Sequence, residues 1–293
     1  MKKILLIGKN GQVSSYLQSV LTDGYTLEVA SSSELDLSDV DSIANKLEGY
    51  DPDLIINPAA YTAVDLAEAE QELAFKINRD APAVIAQFCV DKAVPLIHFS
   101  TDYVFAGDAE SAYLETDETA PTGVYGKSKL EGEQAIVKSG AAAIILRTSW
   151  VYSNHGKNFY KTMLGLAESR NTLSVVADQV GAPTYAGSIA DATKQLVDTI
   201  LEQGEISEEQ IGVYHFTCQG QTSWCEFAKA IFVENEVSSM TVNGIPTSDY
   251  PTPATRPAFS VLNLDKLQRT FSIALPHWGT ALAHCAAETK ANA

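Results

Sequence analysis

Cysteine and histidine are scarce in this 293-residue chain, which contains four of the first and five of the second. The cysteines lie far apart without a CxxC pair, and the histidines show neither HxH nor HxxxH spacing. Four scattered cysteines in a chain of this length indicate neither a disulfide framework nor a zinc site. We expect reduced, mostly buried thiols and no bound metal.

The sequence has no long apolar run, and its basic residues are fewer than its acidic ones. No window approaches the roughly 18 apolar residues of a membrane-spanning helix. The apolar run in the opening segment MKKILLIGKN covers only 4–7, which is too short for a signal peptide. The chain has 20 basic and 37 acidic residues, and its formal net charge of −17 repels nucleic acid and anionic membranes. We therefore expect a cytoplasmic protein without either partner, in which an anionic ligand needs a local basic pocket.

Short apolar segments alternate with amphipathic segments through the first half of the chain. The predicted strands cover 3–8, 26–30, 53–57, 94–100 and 142–150, and the predicted helices cover 12–22, 39–48, 67–91 and 125–138. The strands are near-continuous apolar runs, as in parallel sheets that are buried on both faces. The alternation indicates an α/β fold with a doubly wound, Rossmann-like parallel sheet, which binds ligands at the carboxyl ends of its strands.

The pattern loosens after Trp150. A helix is predicted in KNFYKTMLGLAES and a short strand in TLSVVAD, whereas the proline-rich segment 244–260 is expected to be irregular. We expect a doubly wound, dinucleotide-binding domain formed by 1–148 with 187–217. The remaining segments, 149–186 with 218–293, are expected to form a smaller C-terminal substrate-binding lobe.

A glycine-containing turn, GKNGQVSSYL, follows the first predicted strand and opens a helix. Gly8 and Gly11 allow a tight turn in which backbone N–H groups approach a pyrophosphate at the helix N-terminus. GxxG alone is a weak signal, but its place at the first strand–helix turn favours a dinucleotide site. The third glycine of such turns is replaced by Ser14, which is small enough for close helix–strand packing.

The second predicted strand ends without an acid that would bind a ribose 2′-hydroxyl. Three serines, 31–33, follow it, and Glu28 lies within the strand. This leaves room for a 2′-phosphate, so NADPH fits at least as well as NADH. Asp36 and Leu37 either border the adenine or form a plain polar turn before a helix.

Two further loops follow predicted strands. In NPAAYTAVD the small residues Ala59 and Ala60 leave space for a cofactor, and HFSTDYVF presents Ser100, Thr101 and Asp102 at a strand end. The carboxyl ends of parallel strands meet at one edge, so these side chains are expected to face one crevice. The alternative for the second loop is a turn in which the hydroxyls cap the strand.

Tyr125 and Lys129 lie one helical turn apart in VYGKSKLEGE. A free tyrosine has a pKa near about 10, and an adjacent ammonium lowers it. We therefore expect Lys129 to lower the pKa of Tyr125, which then acts as a general acid toward a substrate carbonyl, with Thr101 as a second hydrogen-bond donor. The alternative is an ordinary exposed pair on an acidic surface.

These features, together with the blocks STDYVF, LRTSWVY, DQVGAPTYA and YPTPATRPAFSVLN, resemble the extended short-chain dehydrogenase/reductase family over nearly the whole chain. The resemblance implies an enzyme that uses NADPH, or NADH, to reduce the C4 carbonyl of a thymidine-diphosphate deoxysugar. It implies catalytic roles for Thr101, Tyr125 and Lys129. It implies cofactor binding by Gly8, Asn10, Gly11, Gln12, Val13, Asp36, Leu37, Ala59, Ala60, Tyr61, Thr62, Phe99, Tyr125 and Lys129. It implies substrate binding by Thr101, Asp102, Tyr103, Trp150 and Arg256, whose cation would meet the diphosphate.

The sequence departs from the family pattern at a few positions. Pro58 replaces the small residue that usually follows Asn57, and it stiffens the loop. Some family members hold magnesium between subunits with carboxylates, but the matching positions near Tyr16 and Gly187 carry no acid. We therefore expect no metal, and either a monomer or a homodimer.

Two other functions are compatible with the same scaffold. A nucleotide-sugar epimerase or dehydratase is one, although dehydratases of this superfamily carry Asp-Glu after the threonine, where this chain has Asp102 and Tyr103. A non-catalytic NADP-binding regulatory subunit, like that of methionine adenosyltransferase, is the other. The presence of Thr101, Tyr125 and Lys129 favours the reductase.

Overall fold

The computed structural model describes residues 1–291 as an α/β fold. The strands are β1 (Lys3–Ile7), β2 (Thr26–Ala30), β3 (Leu54–Asn57), β4 (Leu96–Thr101), β5 (Ala143–Thr148), β6 (Val151–Tyr152), β7 (Thr172–Val176), β8 (Val180–Gly181), β9 (Thr184–Tyr185), β10 (Gly212–His215), β11 (Thr222–Ser223) and β12 (Thr241–Ile245). The helices are α1 (Gln12–Leu21), α2 (Val40–Leu47), α3 (Val64–Ala67), α4 (Gln71–Phe75), α5 (Ala81–Lys92), α6 (Val124–Ser139), α7 (Phe159–Ala167), α8 (Ala186–Gln203), α9 (Trp224–Glu234), α10 (Asp265–Phe271) and α11 (Trp278–Ala291).

The central sheet has six parallel strands in the order β10-β5-β4-β3-β1-β2. The chain runs from β1 outward to β2 and then returns to the other side of β1 with β3. This change of direction opens a crevice at the carboxyl ends of β1 and β3, where ligands of open α/β sheets bind. The predicted fold class, a doubly wound Rossmann-like sheet, is confirmed.

Both faces of the sheet are buried. In β1, Ile4 and Leu6 belong to one hydrophobic cluster with α1 and α8, whereas Leu5 and Ile7 belong to another with α2 and α5. Successive strand residues point to opposite faces, so this run of apolar residues supplies two cores at once. The strands are continuously apolar because both faces of the sheet are buried.

Smaller elements complete the fold. β12 pairs with β7, β11 with β8, and β6 with β9, in three two-stranded sheets outside the central one. The segment 244–260 contains the end of β12 and a short 3₁₀ turn, Thr247–Asp249, and is otherwise irregular, as predicted. In residues 1–291 no helix combines the length and apolarity that crossing a bilayer requires.

The helix predicted over 67–91 is confirmed from Gln71 onward and ends at Lys92, but it contains a π-helical turn and is preceded by a separate short helix. The segment consists of α3, α4, a π-helical turn at Lys76–Asp80, and α5. The π turn carries Asn78, whose amide accepts from Tyr61 N at 2.8 Å and donates to Tyr61 O and Ser128 Oγ, both at 3.0 Å. The π turn thus joins the loop after β3 to α6, a tertiary contact that periodicity does not reveal.

The helix α6 approaches its neighbours through two glycines. An added Cβ on Gly126 would overlap the carbonyl oxygen of Tyr103, and one on Gly132 would overlap that of Asn78. Backbone therefore packs directly against backbone at both places. This contact fixes the distance of α6, and hence of Tyr125 and Lys129, from the edge of the sheet.

Candidate active site

A cavity of about 630 Å³ lies at the carboxyl ends of the central strands. The predicted site residues that line it are Gly8, Asn10, Gly11, Gln12, Val13, Ala59, Ala60, Thr62, Phe99, Thr101, Asp102, Tyr103, Tyr125, Lys129 and Trp150. Four other predicted residues, Asp36, Leu37, Tyr61 and Arg256, are not among its lining residues in the described part of the chain. The loops after β1, β3 and β4 and the helix α6 thus converge on one crevice.

The turn after β1 has the backbone that a dinucleotide pyrophosphate requires. Gly8 has a φ of +95°, and a Cβ placed there would lie 2.9 Å from the Cβ of Ala59, so only glycine fits without strain. Gly11 is the N-cap of α1, and no described side chain caps that helix end or brings an acid into its first turn. The first N–H groups of α1 can therefore bind an anion, and the cavity fits the implied cofactor here.

An acid that the sequence analysis missed lies beyond β2. Glu34 Oε2 accepts hydrogen bonds from Ser31 N at 2.9 Å and from Ser31 Oγ at 2.6 Å. The contact is local, and its signal in the sequence is the S-x-x-E spacing of Ser31 and Glu34. Nearby, Asp36 Oδ1 accepts from Ser38 N and Oγ, both at 2.8 Å, and Leu37 is buried. Asp36 thus caps a turn, and Leu37 occupies a core position. The contacts of these two residues with a cofactor stay predictions.

Tyr125 lies in the first turn of α6 beside Thr101 and Tyr103. Its ring meets that of Tyr103 edge-on, with centroids 5.5 Å apart. Burial raises the pKa of Tyr125 above its usual value, Thr101 opposes part of this rise, and the charge of Asp102 adds to it. Lys129 is not among these causes, so the prediction that Lys129 lowers the pKa of this phenol is wrong in this structure.

The Lys129 amine contacts β4. Its Nζ donates to Phe99 O at 2.6 Å and lies 3.2 Å from His98 Nε2, and the residue is 1% exposed. Burial lowers the pKa of Lys129 to about 8, although the carboxylate of Glu133 opposes the shift. Within residues 1–291 no hydrogen bond joins this amine to Tyr125.

Asp102 is a buried carboxylate on the cavity wall. Thr101 Oγ1 donates to its Oδ1 at 2.9 Å, while its Oδ2 has no hydrogen-bond partner of ordinary geometry among the described residues. Burial raises the pKa of Asp102 to about 6, and nearby Ser260 and Thr101 offset only part of this effect. An acceptor buried without a partner at a cavity wall is suited to meet a ligand hydroxyl.

Trp150 forms another wall of the cavity and adopts a left-handed backbone, with φ +46°. A Cβ on Gly181 would lie 2.6 Å from the Trp150 indole, so the glycine makes room for the ring. Trp224, at the start of α9, also lines the cavity and stacks on Trp150. Trp224 is not among the predicted site residues. The N-cap Ser223 before it signals a helix start but not a place in the cavity.

Arg256 joins two loops beside the cavity. Its Nη2 donates to Asp65 Oδ2 at 2.7 Å, and Ala254 N donates to Asp65 Oδ1 at 3.2 Å. Its Nη1 is buried without a hydrogen-bond partner among residues 1–291, and its charge lowers the pKa of the neighbouring Tyr103 against the larger effect of burial. Asp65 partly neutralises the cation, and the predicted diphosphate contact stays a prediction.

Comparison with known proteins places the chain among nucleotide-sugar enzymes. The family model described as the RmlD substrate binding domain matches residues 1–291. The dTDP-4-dehydrorhamnose reductase of Salmonella typhimurium is 43% identical over 284 residues, and that of Escherichia coli K12 is 42% identical over 284; each match covers 94% of both chains. The Bacillus anthracis dTDP-4-dehydrorhamnose reductase in complex with NADP has 33% identity and a TM-score of 0.91, covering 99% of this chain and all of that one.

Proposed function

This chain belongs to the RmlD substrate-binding family, and we propose that it is a dTDP-4-dehydrorhamnose reductase, which converts dTDP-4-dehydro-β-L-rhamnose to dTDP-L-rhamnose with NADPH. One observation carries the proposal: Thr101, Tyr125, Lys129 and Trp150 line a single cavity beside the free N-terminus of α1. A proton donor thereby lies in the same crevice as a pyrophosphate-binding turn.

The turn from Gly8 to Val13 would hold the cofactor's pyrophosphate, with Ala59, Ala60 and Thr62 along its path. The reduced nicotinamide supplies the hydride that the carbonyl carbon receives. Lys129 is in reach of the cavity and would bind the adjoining ribose. NADPH is the expected cofactor, and NADH fits the same turn.

Tyr125 donates the proton to the substrate oxygen at C4. A phenol with a raised pKa stays protonated at neutral pH, so it is in the state required of a general acid. Thr101 orients the carbonyl through a second hydrogen bond, for which its hydroxyl turns away from Asp102 Oδ1, and Asp102 accepts from a sugar hydroxyl. Trp150 packs on the deoxysugar, Tyr103 borders it, and Arg256 meets the diphosphate.

The two proposed domains divide cofactor binding from substrate binding. Residues 1–148 with 187–217 would bind the cofactor, and 149–186 with 218–293 would bind the substrate. The four cysteines are free and buried, which fits a reducing compartment, and we propose that the enzyme works in the cytoplasm. The oligomeric state, a monomer or a homodimer, stays a prediction.

The test is turnover by the purified protein. With dTDP-4-dehydro-β-L-rhamnose, we expect NADPH oxidation and one equivalent of dTDP-L-rhamnose, identified by NMR. Tight NADPH binding without oxidation would instead support the regulatory-subunit alternative. A change of configuration at C3 or C5 without net oxidation of NADPH would support an epimerase. Loss of water from a nucleotide hexose that carries a 6-hydroxyl would support a dehydratase, although Tyr103 occupies the position of the glutamate that such dehydratases carry.

A further inference from the structure

A buried histidine lies behind the catalytic lysine. His98 is fully buried in β4, and its Nε2 is 3.2 Å from Lys129 Nζ. On the other side of the ring, His98 Nδ1 is 3.2 Å from the side-chain amide nitrogen of Asn57, at the end of β3. The reduction proposed above makes no use of either residue. Together, however, they determine whether a hydrogen-bond donor or an acceptor faces the lysine amine.

The orientation of Asn57 fixes the tautomer of His98. The Asn57 Oδ1 accepts from the backbone N–H of Ala59 at 3.2 Å, and that N–H can only donate. The other amide atom, Nδ2, therefore faces His98 and donates to its Nδ1. A neutral imidazole that accepts at Nδ1 carries its proton on Nε2, the atom that faces Lys129.

This tautomer determines the protonation state that suits Lys129. An ammonium has three donors and no acceptor, so it would oppose the Nε2–H of His98 donor to donor. A neutral amine accepts from Nε2–H with its lone pair and still donates to Phe99 O at 2.6 Å. Charging His98 would not resolve the conflict, because burial holds the pKa of His98 well below its ordinary value.

The remaining charged groups near Lys129 do not compensate an ammonium by direct pairing. Glu133, one turn along α6, is engaged by Arg147, with contacts of 2.6 and 2.9 Å, and by Ser100. Asp102 acts on the Tyr125 phenol and is bonded by Thr101. The longer-range charge of Glu133 favours the ammonium, but burial outweighs it.

We propose that His98 is a positioning residue, which favours the neutral amine of Lys129 against β4 in the cofactor-free protein, so that at alkaline pH cofactor binding draws a proton onto Lys129. The inference rests on the proposed function in placing the cofactor in this cavity. Ribose hydroxyl oxygens would offer acceptors that the imidazole N–H does not, and the negative diphosphate would favour the ammonium.

The test is calorimetric titration of the full-length protein with NADPH at about pH 8.5, above the lysine pKa of about 8. At that pH the 2′-phosphate, whose pKa is near about 6 like that of other phosphate monoesters, is already ionised. Measurements in phosphate and in Tris, which differ in ionisation enthalpy, give the number of protons bound. We expect wild type to take up on the order of 0.5 proton or more per site, and less at about pH 7, where Lys129 is already charged.

His98→Gln is the decisive variant, because its amide oxygen can accept from an ammonium at the place of Nε2. Its proton uptake at about pH 8.5 should fall close to zero, whereas the exposed control His284→Gln should behave as wild type. NADPH binding without uptake in wild type, or equal uptake in His98→Gln, would overturn the inference. If His98→Gln does not fold, equal uptake by wild type at the two pH values would still overturn the inference. Failure of NADPH to bind at all would instead refute the proposed function.

Discussion

The indole rings of Trp150 and Trp224 lie parallel, with their centroids 3.6 Å apart and their planes inclined by 8°. Trp224 supports the ring that would pack on the deoxysugar, and Phe159 in turn contacts Trp224 with ring centroids 4.6 Å apart. Trp150, which has a left-handed backbone, thus packs against an aromatic residue of α9. This arrangement connects the cavity wall to the second half of the chain.

We expect Trp224→Ala to raise the KM for the nucleotide sugar about threefold to tenfold, because aromatic stacking contributes roughly 0.5–1.5 kcal/mol beyond area burial. The kcat should change less, since the proton donor is untouched. Steady-state kinetics measure both constants. Trp224→Phe, which keeps an aromatic face, should lie nearer to wild type; an unchanged KM in the alanine variant would refute the supporting role.

Tyr125→Phe removes the proposed proton donor and retains the ring. General acid catalysis contributes roughly 10²–10⁴-fold, and kcat should fall by that order. NADPH affinity, measured by fluorescence titration, should stay within about twofold, because the phenyl ring can keep its edge contact with Tyr103. A phenylalanine variant that turns over at the wild-type rate would eliminate Tyr125 as the acid.

Asp102→Asn tests how much the buried charge of Asp102 reduces the free energy of unfolding. Burial raises the pKa of Asp102 from 3.8 to about 6, so the folded state binds this proton more tightly than the unfolded state. Wild type therefore loses unfolding free energy as the pH rises from about 4 to about 6, and the asparagine variant lacks that loss. Relative to wild type, the variant should gain on the order of 2 kcal/mol across this window.

Urea denaturation of wild type and Asp102→Asn at several pH values measures this difference. The comparison within each protein across pH separates the proton linkage from any constant effect of the amide. A difference between the two proteins that stays the same from about pH 4 to about pH 7 would contradict the assignment of a raised pKa to Asp102.

Gly132→Ala tests the backbone contact that positions α6. The added methyl group would overlap the carbonyl oxygen of Asn78, and such overpacking typically costs about 1–3 kcal/mol. We also expect a lower kcat, because Tyr125 and Lys129 move with the helix. Gly165→Ala on α7 is the matched control: its Cβ meets nothing within 4 Å in the described chain, and the change should stabilise by about 0.5–1 kcal/mol.

Unfolding free energies from denaturant titration, with kcat from the reductase assay, test the pair of glycine variants. Equal stabilities for Gly132→Ala and wild type would mean that α6 can shift at no cost. In that case the glycine contact would not fix the positions of Tyr125 and Lys129.

The sequence by itself determined the parts of this protein that depend on near neighbours. The buried runs of the strands predicted the parallel sheet, and the helix predicted over 125–138 corresponds to Val124–Ser139. The turn at Gly8 and Gly11 was recognisable because its chemistry lies within a few residues. Right-handed crossovers then bring the strand ends to one edge, so most of the cavity lining could be named in advance.

Only the tertiary structure decided how the side chains at that edge pair. Lys129 binds β4 instead of acidifying Tyr125, Trp224 stacks on Trp150, and Arg256 reaches Asp65 across 191 residues. Such pairings depend on which surfaces meet when helices and loops pack, and burial then sets the pKa values. The local sequence pattern does not predict these pairings, because a side chain's partner and its exclusion from water are properties of the packed chain.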